Sequence, residues 1–180
     1  VTTEVVGNCS FSPAPVNDIN RHDMAELNSY LTIGGDITWD WRTMGDYIQC
    51  LEDRGIALNV VPLVGHGPIK SAAMGYEKRH PTADELAQMK RFAAEAMDDG
   101  VLGFSSGLIY PPSSYADTDE LVAIVSEVAA HGGIYFTHVR GEGVSLLRAI
   151  AEAIEISERT GAPVQIAHHK AVGVDCWGRV

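Results

Sequence analysis

The chain has 180 residues, 46% of them apolar and 21% charged, enough material for one buried core and a single domain over residues 1–180. Its 24 acidic against 13 basic residues give a formal charge of −11, which repels phosphate backbones and anionic bilayers, so neither nucleic acid nor a membrane is an expected partner. No apolar run is long enough to span a bilayer, VTTEVVGNCS lacks the layout of a signal peptide and an initiator Met, and Cys9, Cys50 and Cys176 are too few and too dispersed for a disulfide framework. A reducing, cytoplasmic setting is therefore expected, and the chain reads as part of a longer one.

In chain order, one alternation recurs: an apolar run ends in glycine or polar residues, and a helical segment follows. The first run, Val1 to Val6, precedes GNC. The stretch from Ser10 to Tyr47, containing SPAPVND and WDW, is too long for a simple loop and is expected to hold a helix and a substrate-facing excursion. Ala57 to Val64 runs up to GHG. Thr82 and Glu85 then form a capping-box pair, Leu86, Met89, Ala93 and Ala96 share one helical face, and Gly100 stops the helix. Val101 to Phe104 leads into SSG. Asp117 and Glu120 repeat the cap before Leu121, Ile124, Val125 and Val128, with Gly132 and Gly133 as terminators. Ile134 to Phe136 precedes THVRGEG. A helix from Ser145 to Thr160 is expected to bury Leu147, Ile150, Ala151 and Ile154 and to turn Glu152, Glu155 and Glu158 to water. Val164 to Ile166 leads into AHHK. The runs are short and rich in branched or aromatic residues, which predicts five parallel strands buried on both faces.

Strands alternating with helices leave two α/β architectures, an open doubly wound sheet and a (β/α)8 barrel. The first would carry a Gly-rich phosphate turn, and no GxGxxG opens a helix here. The second places its chemistry at the C-terminal ends of its strands, where this chain's unusual residues fall. A full barrel takes about 250 residues and eight strands, so five strands predict a partial TIM barrel. Such a wall exposes edge strands, which invite self-association.

Cys9, His138 and His168 each follow an apolar run. The two histidines are one strand-helix-strand step apart, which puts them at neighbouring strand ends about 5 Å from each other. Cys9 would reach them across the barrel mouth. A thiolate and two imidazoles are a donor set that suits zinc. Taken singly, a buried cysteine is often only a small apolar filler and a strand-end histidine a solvated one; the coincidence of three such residues favours a metal site. His168 and His169 alternate in direction along an extended chain, so at most one of them points inward.

VTTEVVGNCSFSPAPV, LNVVPLVGHGPIKSAAMG, GVLGFSSGLIYPPSSYADTDEL, YFTHVRGEG and IAHHKAVG together resemble the D-aminoacylase (N-acyl-D-amino-acid deacylase) family of the amidohydrolase superfamily, in order and over nearly the whole chain. The resemblance implies strands two to six of a metal-dependent hydrolase barrel. It implies Cys9, His138 and His168, rather than His169, as ligands of one tight zinc site. It also implies hydrolysis of the amide bond of N-acyl-D-amino acids by the full enzyme. Lys170, Tyr110, Arg140 and His66 are the candidates for substrate contact, Lys170 and Arg140 through the substrate carboxylate. Hydantoinase-like relatives carry a bridging carboxylated lysine where this chain has Ser105 and Ser106, which favours the cysteine type of site. The family's His-x-His pair and its acid/base aspartate have no match here, so a second metal site and the proton-shuttling carboxylate are expected outside these residues. The rival readings are a D-dipeptidase or cyclic amidase with the same metal logic, and a non-catalytic zinc-binding fragment.

Overall fold

The structure is a computed structural model that describes residues 1–29 and 37–180. Five strands, β1 (Thr3–Val6), β2 (Asn59–Gly65), β3 (Gly103–Gly107), β4 (Ile134–His138) and β5 (Val164–Ile166), form one sheet in which every pairing is parallel. Their spatial order is their chain order, β1-β2-β3-β4-β5. A doubly wound sheet reverses order at a switch point, whereas a barrel wall adds each strand beside the last. The sheet is therefore the wall of a partial (β/α)8 barrel, as expected.

The helices are α1 (Arg21–Leu27), α2 (Met44–Arg54), α3 (His66–Met74), α4 (Ala83–Asp98), α5 (Thr118–Ala130) and α6 (Leu146–Thr160). α4 starts at the Thr82/Glu85 capping box, α5 at the Asp117 side chain, and α2 at a further box made by Thr43 and Asp46. Met89, Ala93 and Ala96 of α4 and Leu121, Ile124, Val125 and Val128 of α5 close over Val64, Phe104 and Tyr135 of the sheet. Each large side chain so buried stabilises the fold by about 1.5–3 kcal/mol. These helices cover the middle strands, at whose C-terminal ends Gly65, Gly107 and His138 stand.

Three expectations need correction, and one helix adds to them. Among the described residues β1 and β5 each have a sheet neighbour on one side only; β1 is largely exposed and Val164 and Ile166 of β5 are half-buried, rather than buried on both faces. β3 extends through Ser105 and Ser106, which are buried within the strand rather than beyond it. On α6 the buried stripe is Leu146, Ala149, Ala153 and Ile156; Leu147 and Ile154 face outward, and Glu152 turns inward to pair with Arg140. The helix carries apolar residues on two faces, and the small alanines mark the one that packs. Finally, α3 follows β2 without a loop, beginning at His66. The excursion expected between Ser10 and Tyr47 contains α1 and the start of α2, and its central part lies outside the described residues.

Candidate metal centre

Beyond β1 the chain turns sharply: Gly7 has φ 86°, Cys9 φ 54° and Ser10 φ 76°. Left-handed backbone costs an ordinary L-residue about 1–2 kcal/mol, so two in succession must be held by their surroundings. The turn lies against the C-terminal ends of the neighbouring strands. A Cβ on Gly107 would fall 2.3 Å from the Cys9 carbonyl oxygen, and one on Gly65 would fall 2.5 Å from that of Ser10. Glycine at these two strand ends is what lets the turn settle there. Its effect is to carry Cys9 Sγ to 3.3 Å from His168 Nε2.

His138 is the last residue of β4, and His168 sits just past β5 in a turn with φ 35°. Their rings are 4.2 Å apart at 81°. One donor atom from each of Cys9, His138 and His168 lies within 4.8 Å of the others, a span that one transition-metal ion can bridge. His169 is exposed and stands outside this group.

The surroundings of the donors also fit a ligand set. His138 is buried, yet neither ring nitrogen has a hydrogen-bond partner. A buried polar atom left in that state costs about 1–3 kcal/mol. Glu142 Oε1 approaches His138 Nε2 to 3.4 Å without the geometry of a hydrogen bond, and lies 3.1 Å from His168 Nδ1. A metal on His168 Nε2 requires the ring proton on Nδ1, which the nearby Glu142 carboxylate favours by its charge, as carboxylates beside ligating histidines do. Lys170 donates to the same carboxylate and stands 3.2 Å from Nδ1.

Burial pushes the Cys9 thiol up, with Lys170 opposing and Glu142 adding to the rise. Burial likewise lowers His138, against the pull of Glu142. For Glu142 burial acts upward, but the Lys170 hydrogen bond and the surrounding basic groups outweigh it and the carboxyl titrates low. A divalent cation would favour the thiolate and the neutral imidazoles that ligation needs.

The other sequence candidates separate clearly. Tyr110 packs its ring edge-on to His138 at 5.2 Å, and Lys170 is half-exposed at the rim, so both border the centre. Arg140 is turned away: its guanidinium donates to both carboxylate oxygens of Glu152, beyond the strand end. His66 is fully buried, with Nδ1 2.9 Å from Ser113 Oγ and Nε2 2.9 Å from Glu120 Oε1, so it lies behind the site wall, out of substrate's reach. Glu142 was missed from the sequence. The available signal was its place four residues after His138, in a turn that folds back over the strand end.

A parallel barrel wall with Cys9, His138 and His168 converging at its strand ends could hold one metal ion, the arrangement expected of an amidohydrolase-type barrel. No family model matches the chain. It is 37% identical to a D-aminoacylase of Alcaligenes xylosoxydans xylosoxydans over 99% of its own length and 36% of that relative's. A crystal structure of D-aminoacylase, described as defining a novel subset of amidohydrolases, superposes with a TM-score of 0.88 at 33% identity, over 99% of this chain and 37% of that one. An N-acyl-D-glutamate deacylase from Bordetella bronchiseptica, solved with zinc and a phosphonate inhibitor, gives 0.85 at 31% identity, over 99% and 36%. The chain is thus similar to D-aminoacylases along its whole length, and spans a little over a third of the length of the curated relative it matches.

Proposed function

We propose that this chain forms the metal-binding wall of a hydrolase that cleaves the amide bond of N-acyl-D-amino acids into a carboxylate and a D-amino acid, with zinc held at one tight site by Cys9, His138 and His168. The observation that carries the reading is the buried His138 imidazole, neither nitrogen hydrogen-bonded, beside the Cys9–His168 contact. The relatives' names supply the substrate class, and the zinc complex of the deacylase supports the choice of metal.

Zinc, when bound, supplies a Lewis acid that polarises the amide carbonyl and acidifies water. The chain's own residues bind and orient. Glu142, its Oε1 3.1 Å from His168 Nδ1, favours a proton on that nitrogen by its charge, and Tyr110 walls the side of His138. Lys170 offers a cation at the rim for the substrate carboxylate, exchanging part of its bond to Glu142 for it. Next to Tyr110 opens a cavity of about 320 Å³ lined largely by apolar groups, among them Phe11, Met24, Pro68 and Tyr76, which would take an apolar part of the substrate. No described helix is long and apolar enough to cross a membrane, which with three free cysteines supports action in a reducing, cytoplasmic compartment.

Elemental analysis of the purified chain beside Cys9→Ala and His168→Ala tests the site. Near-stoichiometric zinc in the wild type, lost from both variants while each stays folded, is the expected result. A folded wild type without zinc, or variants that keep it, would overturn the assignment. Release of free amino acid from N-acetyl-D-leucine but not its L-enantiomer, by the protein carrying this chain, tests the activity.

A further inference from the structure

Behind the Cys9 turn runs a continuous chain of buried polar groups from α5 and α3. Lys70 Nζ donates to both oxygens of Glu120 at 2.7 Å, and His66 Nε2 meets Glu120 Oε1 at 2.9 Å. His66 Nδ1 meets Ser113 Oγ at 2.9 Å, Ser113 Oγ meets Ser10 Oγ at 2.8 Å, and Ser10 Oγ accepts the Gly67 N–H. All five side chains are buried, Lys70 and His66 completely. Ser10 is also held from its other side, its N–H donating to Ser105 Oγ, which donates to the Gly7 carbonyl.

The ends of this chain fix the position of every proton in it. Lys70 can only donate, so Glu120 stands as a carboxylate and accepts the His66 Nε2 proton. The His66 Nδ1 lone pair then accepts from Ser113, Ser113 accepts from Ser10, and Ser10 accepts from the Gly67 amide. No hydroxyl is left to choose. Reversing the chain would put the proton of a neutral His66 on Nδ1 and set its bare Nε2 against the Glu120 carboxylate, acceptor to acceptor. Burial, which holds His66 neutral against the pull of Glu120, agrees with this assignment.

A buried ion pair is seldom worth more to stability than an apolar pair of equal volume, whereas a fully satisfied network can specify one geometry. What this network specifies is the hydroxyl direction of Ser10, the second of the two left-handed residues of the turn. We propose that Lys70, Glu120, His66 and Ser113 are positioning residues for the metal centre: through Ser10 they lock the Cys9–Ser10 turn that aims the Cys9 thiol at His138 and His168. The proposal rests on the metal-site reading above.

Cobalt(II) is the probe, because sulfur-to-cobalt charge-transfer absorption reports thiolate ligation directly. The metal-stripped chain is titrated as wild type, as Ser113→Ala, as the Lys70→Met/Glu120→Gln double variant, which removes the ion pair and leaves no unpaired charge, and as Ser71→Ala. Ser71 is a buried α3 serine outside the network that serves as control. Ser113→Ala and the double variant are expected to bind cobalt about tenfold more weakly, the scale of losing an outer-shell partner, with a diminished charge-transfer band in folded protein. Ser71→Ala should keep wild-type affinity and spectrum. A purely structural network would lower the unfolding midpoint and leave the band unchanged; that result, in either network variant that folds, overturns the proposal alone. A folded wild type that takes up cobalt without the thiolate band, or none at all, overturns the metal-site reading and the proposal with it.

Discussion

At the scale of single residues, the centre depends on one carboxylate that ligates nothing in the proposed set. Glu142 faces His168 Nδ1 and the Lys170 ammonium together, so its charge orients a ring and tethers the rim cation. Glu142→Gln keeps an acceptor for the imidazole but removes that charge. Zinc affinity is expected to fall about 10- to 100-fold, measured by competition with a chromophoric chelator; an unchanged affinity would mean that the carboxylate serves Lys170 alone. The contrast with the proposed ligands shows what a sequence discloses. Cys9, His138 and His168 stand out because each interrupts the pattern just after an apolar run. Glu142 interrupts nothing in a polar turn, and His66, which does stand at a strand end, turned out to point into the protein, because α3 begins there without a loop.

At the scale of elements, the ion pair between α3 and α5 makes their contact sensitive to acid. Glu120 is drawn upward by burial, but its hydrogen bond from His66 and the Lys70 charge outweigh this and hold it below the usual carboxylate range. His66 is lowered by burial, with Glu120 opposing and Lys70 and Arg140 adding to the fall. Both folded values lie below their unfolded ones, so in each case the unfolded chain binds the proton first and stability falls with pH. The loss should begin as pH drops below about 6.5, the unfolded histidine value, and deepen below about 4.3, where unfolded carboxylates protonate. Urea midpoints measured from pH 8 to pH 4 check this: His66→Asn should flatten the upper part of the fall and leave the lower part. A wild-type midpoint flat between pH 7 and pH 5 would refute it. The pair joins residues 50 positions apart in sequence, so the local pattern marks Glu120 only as a capping partner of Asp117, whereas its carboxylate is taken by Lys70 and His66.

For the whole molecule, the parallel wall and its order were legible in the recurrence of apolar run, polar strand end and capped helix. What the pattern could not show was which strands are outermost, since burial of β1 and β5 depends on neighbours that a single run does not reveal. The same holds for α6, where Leu147 and Ile154 satisfy an apolar periodicity but face outward. These surfaces have a measurable outcome. Among the described residues β1 and β5 each pair along one edge only, and Trp177 is 72% exposed. Sedimentation of the chain should show concentration-dependent association, weakened by Val5→Lys on the β1 edge; a monomer throughout would show that the short strands protect themselves.

Cys9 follows the first strand of the sheet and His168 the last, 159 positions apart along the chain. An ion shared by the two would act as a drawstring, tying the opposite margins of the wall through their loops and setting its curvature. Curvature and occupancy would then be one variable: a chelator would relax the arc as it emptied the site, and whatever flattened the sheet would loosen the grip on the ion.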